Sequence, residues 1–170
     1  MSKQLSLKAV KKENEIYKEK FDIPVKVDGV EYNIKITPFF SPEKIKNVIN
    51  SFSKLCKMAV DENIEIKNGE DFSIIDCLLI KEFTDIKFSN NRKASTILAE
   101  FKQLLNSPLY RELMEAFPES SVHEAYGYYN DMKGVAVKFE RFIEQQQEMV
   151  NKLPLENKDI LFGDKSDKES

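Results

Sequence analysis

A two-residue turn between two runs of strict alternation restricts this chain more than any other feature. Phe21, Ile23, Val25 and Val27 alternate with polar residues, Asp28-Gly29 follows, and Val30, Tyr32, Ile34 and Ile36 alternate in turn. This is the pattern of a β-hairpin closed by a type I′ turn, whose two central residues both take positive φ. If Val27 faces Val30, then Val25 faces Tyr32, Ile23 faces Ile34 and Phe21 faces Ile36, all on one face. On the other face Lys26 meets Glu31 and Asp22 meets Lys35, so opposite charges coincide in the same register. Pro24 marks its strand as an edge. A lone hairpin is marginal in water, so its apolar face requires helices or further strands beneath it.

The pattern changes to helix after Thr37. Ser41-Pro42-Glu43 supplies a cap, a proline for the first helical position and a first-turn acid, and Ile45, Val48, Ile49, Phe52, Leu55, Cys56 and Ala59 share one stripe. Asn68-Gly69 ends the following connection. A second helix begins near Asp71 with Phe72, Ile75, Leu78, Leu79 and Phe83 inward, and Ile74 and Ile80 widen its stripe toward burial on two sides. A third runs from about Arg92 to Leu105. Ser107-Pro108 repeats the cap-and-proline start for a short helix ended by Pro118.

From Ser121 to about Leu153, Ala125, Tyr129, Met132, Ala136, Phe139, Ile143, Gln146, Val150 and Leu153 recur in steps of four and three. That is a heptad seam with one polar interruption. Tyr128, Val135, Phe142 and Met149 recur every seven residues beside it, which asks for neighbours on two sides and favours self-association. At 1.5 Å per residue, roughly thirty residues span about 45 Å, longer than a compact domain of this size is wide. Such a helix either bends, with Gly134 as the natural place, or extends to meet another chain. The expected fold class is therefore α+β and mainly α-helical, an N-terminal hairpin followed by about five helices with the last one long. Residues 1–20 read as a charged flexible arm or a frayed helix, 21–153 as one globular domain, and 154–170 as a polar tail holding one apolar triplet, Ile160, Leu161 and Phe162, of docking-motif type.

Scarcity excludes much chemistry. One His, two Cys and no Trp leave no ordinary tetrahedral zinc set within the chain. The five glycines, at 29, 69, 127, 134 and 163, are spaced too widely for a dinucleotide or phosphate-cradling loop. Cys56 and Cys77 sit among apolar residues and read as small buried hydrophobes. A net charge of −3, with acids interleaved among bases, gives no electrostatic footprint for nucleic acid. Leu78-Leu79-Ile80, four residues with Cys77 before it, is the longest apolar run, far short of a membrane span. These features lead to the expectation of a soluble, cytoplasmic protein with no cofactor, metal or catalytic site. His123 follows Ser120 and Ser121, but serines at a helix start read as caps, and no nucleophile elbow accompanies them. Asp76, the one acid within the apolar run Ile74–Ile80, reads as the wet edge of its helix rather than a buried acid with a partner.

The charged arm, the extended DGVEYNIKITPFF segment, the capped SPEKIKNVINSF helix and FSIIDCLLIKEFTDIKF together resemble the small tail assembly chaperones of long-tailed phages and prophages of Gram-positive bacteria. The resemblance covers roughly residues 20 to 150 and rests on pattern. It implies a non-catalytic helical protein that binds the tape measure protein and helps to recruit tail tube subunits during virion assembly in the host cytoplasm. It also implies protein partners, a possible homo-oligomer, and a longer form made by frameshifting. The same residues fit a small phage or bacterial adaptor acting through its long helix. For either, the partner or self-association seam is expected at Tyr128, Tyr129, Met132, Val135, Ala136, Phe139, Phe142, Ile143, Met149 and Val150.

Overall fold

The computed structural model describes residues 4–152, with side chains through Met149. Among the described residues two compact units are distinguishable, 4–130 and 131–152.

The first unit begins with helix α1 (Leu7–Glu13) and a 3-10 turn (Asn14–Lys18), neither of which buries a residue. Strands β1 (Phe21–Val27) and β2 (Val30–Ile36) then form the hairpin. Their register runs from Val27↔Val30 through Val25↔Tyr32 to Phe21↔Ile36, as the alternation demands. Asp28 and Gly29 hold φ of 49° and 77°, the left-handed pair that a type I′ turn requires. The outer margin of β2 is occupied at its Lys35–Thr37 end. Thr84 bridges to Ile36, the Thr37 amide donates to the Phe83 carbonyl at 2.8 Å, and the Asp85 carboxylate accepts from the Lys35 amide at 2.9 Å. Only part of the hairpin's apolar face is covered: Val25, Ile34 and Ile36 are buried, whereas Phe21, Val27, Val30 and Tyr32 are exposed.

Four helices follow, α2 (Pro42–Asp61), α3 (Glu70–Phe83), α4 (Ala94–Leu105) and α5 (Pro108–Ala116). Ser41 and Ser107 cap α2 and α5 as their Ser-Pro starts predict, accepting from the Lys44 and Leu109 amides. Gly69, at φ 93°, turns the chain into α3. Central to this unit is α3, packed on α2, α4 and α5 and buried continuously from Ile74 to Ile80. Each fully buried aliphatic side chain there contributes about 1.5–3 kcal/mol through removal from water. At its end Phe83 stacks on Phe40 with ring centroids 3.8 Å apart, and Phe117 meets Phe40 edge-on at 5.1 Å. Phe72 departs from expectation. It is 44% exposed, because its place in the first turn of α3 leaves only one side of its ring against Tyr126 and Tyr129.

The last helix, α6, spans Glu119–Lys152 without a break at Gly134. Its residues up to Asn130 belong to the first unit, where Ser121, Ala125 and Tyr129 are buried. From Asp131 onward its described residues belong to the second unit, and all but Met132 are exposed there.

Candidate functional site

A carboxylate in the middle of an apolar helix must either reach water or find donors. Asp76 does the second, which corrects its reading as the wet edge of α3. It is 8% exposed, and two phenols close over it: Tyr110 of α5 donates to Oδ2 at 2.6 Å, and Tyr126 of α6 donates to Oδ1. Burial, and then the hydrogen bond to Asp76, hold both phenols well above the ordinary tyrosine range, so they stay protonated and keep donating. Cys77 lies alongside. Burial, reinforced by the charge on Asp76, pushes its thiol up to about 12, and the thiol donates to the Phe101 carbonyl at 3.8 Å. It is a buried hydrophobe with a weak donor and has no nucleophilic character at neutral pH. Cys56 is only half-buried.

A second phenol-carboxylate bond lies one α3 turn away. Tyr129 donates to Asp71 Oδ2 at 2.5 Å, while its ring meets Phe52 edge-on at 5.4 Å. Asp71 pairs with Tyr129 and Asp76 with Tyr126, so the start of α6 runs antiparallel to α3 and is fastened to it twice. Glu62, just past α2, reaches the start of α4 and accepts from the amides of Ala94 at 2.6 Å and Ser95 at 3.0 Å. Those backbone donors, that of Ser95 foremost, hold its carboxyl below the usual range. The helix therefore starts at Ala94 rather than Arg92, with its cap supplied from a distant element.

These arrangements fasten helices together; exposed apolar side chains remain on the last helix. In the second unit Val135, Phe139, Phe142, Ile143 and Met149 are exposed by 67%, 63%, 52%, 39% and 53%. At 100° per residue they fall within a sector of about 120°, with Gln146 near its middle. The expected seam is thus divided by its surroundings. Tyr129 is core, Tyr128 and Met132 are half-buried, and Ala136, Phe139 and Ile143 are exposed together with Val135, Phe142 and Met149. The side chain of Val150 and the triplet Ile160, Leu161 and Phe162 lie outside the described residues. His123 and Ser120 are exposed, while Ser121 is buried. Among the described residues no three His, Cys, Asp or Glu side chains gather as metal ligands, and no helix is long and apolar enough to cross a membrane.

Sequence reasoning missed Tyr110 and Tyr126. The signal that pointed to them was the acid inside the run Ile74–Ile80, because a buried carboxylate implies donors elsewhere in the chain. A family model described as YomO matches residues 7–163. No curated protein and no solved structure matches the chain.

Proposed function

The chain belongs to the YomO family, a family of phage and prophage type, and from that premise we propose that it is a non-catalytic tail assembly chaperone. On this reading it works in the host cytoplasm during virion assembly, binds the tape measure protein and helps to recruit tail tube subunits. The observation that carries the reading is the exposed apolar sector from Val135 to Met149. A helix face of that width, with two phenylalanines open to water, is suited to laying against an apolar face of another helix. The two phenols that donate to the buried Asp76 carboxylate support a holding role for the polar cluster inside the first unit.

The test is co-expression with the tape measure protein of the same phage, followed by affinity capture and native mass measurement. Capture of several copies per tape measure chain, lost on Phe139→Asp and Phe142→Asp, supports the proposal. A protein that stays alone in the presence of that partner refutes it and makes a host-directed adaptor the better reading.

A further inference from the structure

A cleft of about 520 Å³ lies in the first unit, between α2, α3, the 84–93 connection and α4. Its floor is apolar and buried, with Leu55, Leu78 and Phe101 between 2% and 7% exposed. Its rim carries three positive charges, Lys54 from α2, Lys81 from α3 and Arg92 from the connection, and no acid lines it among the described residues. None of these cations forms an ion pair among the described residues. Lys81 instead sits 5.8 Å from the centre of the Phe88 ring, a contact that orients the ammonium without neutralising it.

In a protein of net charge −3, three uncompensated cations around one apolar hollow are a local inversion of the surface. A cavity of this size admits a bulky apolar side chain or a small ligand. The charges sit on long side chains from three separate elements, with no glycine loop to present backbone amides, which is a poor cradle for a phosphate chain and a good one for spaced carboxylates. We infer that the cleft bounded by Lys54, Lys81 and Arg92 binds a short acidic segment of a partner protein, one that inserts a large apolar side chain onto Leu55, Leu78 and Phe101 with carboxylates on either side. The apolar side chain supplies burial, and the carboxylates supply orientation and salt sensitivity.

The inference does not depend on the tail-chaperone reading. Substitutions in the cleft and on the 135–149 sector report separately, so peptide binding without tape measure capture sinks only that reading.

The test titrates a blocked peptide, Glu-Glu-Leu-Phe-Glu-Glu, onto the isotope-labelled full chain and follows the Leu55 and Leu78 methyl resonances. Expected are saturable shifts at both, affinity that falls with added salt, a loss of at least tenfold in the Lys81→Glu, Arg92→Glu double variant, and no change in Lys26→Glu on the hairpin. Both reversed positions are exposed, and far-UV circular dichroism checks the fold. Should the double variant fail to fold, Arg92→Gln alone should weaken binding about twofold to fivefold, as loss of one surface charge pair does. The inference is overturned if the peptide leaves those methyls unmoved, if Glu-Glu-Gly-Gly-Glu-Glu or Lys-Lys-Leu-Phe-Lys-Lys binds as well, or if ATP shifts them and the peptide does not.

Discussion

Tyr126 gives its phenolic hydrogen bond to Asp76, fifty positions earlier, and so ties α6 to the buried centre of α3. Tyr110 reaches the other oxygen of the same carboxylate. Shared between two donors, the acid can lose one and keep half of its satisfaction; losing both leaves a buried carboxylate with no phenol facing it.

Tyr126→Phe and Tyr110→Phe should therefore each destabilise the protein by about 1.5–3 kcal/mol, the range for a hydrogen bond to a charged group. The double variant should lose more than the sum, since only it strips both phenols from the carboxylate. Urea unfolding of the four proteins in the cycle measures the coupling, and simple additivity would show that the two phenols act independently.

Alkali should weaken the fold through the same cluster. The Cys77 thiol rises from 9.0 to about 12 and both phenols rise from 10.0, so all three keep their protons in the folded state at a pH where the unfolded chain releases them. Their contribution is complete below about pH 9 and is lost as pH climbs through the folded-state values. Stability should decline above pH 9 through Cys77 and more steeply above pH 10 as both tyrosines join, by at most about 1.4 kcal/mol per pH unit for each group. Removing both tyrosine hydroxyls should flatten the slope above pH 10, as denaturation midpoints from pH 8 to 11 will reveal.

Glu62→Gln should fray the start of α4 while the rest of the first unit holds. Hydrogen exchange at the Ala94 and Ser95 amides should accelerate, with protection at Leu79 and Ile80 unchanged. Because those amides hold the Glu62 carboxyl low, the wild-type cap persists above its ordinary value of 4.5 and is lost as pH falls through the folded-state value. Exchange at these two amides that ignores both the substitution and acid would remove Glu62 from the cap.

At the hairpin turn, Gly29→Val places a β-branched residue at φ 77° and should cost about 1–2 kcal/mol, whereas Asp28→Asn, at φ 49°, should be close to neutral. Thermal melts of the two variants make the comparison, and an equal effect of both would contradict the left-handed turn.

In the second unit, Phe139→Asp should leave the unfolding midpoint of the isolated protein within about 0.5 kcal/mol of wild type, since the side chain is 63% exposed and buries little there. A large loss of stability would mean that the residue is covered in the free protein.

The hairpin register was legible because alternation, turn chemistry and cross-strand charge all act between residues close in sequence. The Ser-Pro helix starts were legible for the same reason. Asp76 was not: its burial depends on Tyr110 and Tyr126, which lie 34 and 50 positions away and share no local pattern with it. Glu62 escaped notice likewise, being a cap for a helix 32 residues further on. The heptad spacing of α6 was visible throughout, yet spacing alone carries no record of which turns are covered. Tyr129 and Phe139 belong to one seam, and one is buried and the other bare.

Pro24 gains significance from the bridge at Thr84. With that bridge covering the Ile36 end of the free side of β2, β1 remains an open margin of the hairpin among the described residues. Val27 and Val30 flank a two-residue turn and form a hydrogen-bonded pair, so alternation makes Pro24↔Asn33 a non-hydrogen-bonded one, and the nitrogen of Pro24 faces away from β2. The proline therefore costs the hairpin nothing and deletes a donor from the side where a stray strand would attach. Flanked by exposed Asp22 and Lys26, it blunts the β1 edge against strand addition beside the exposed Phe21, Val27 and Tyr32.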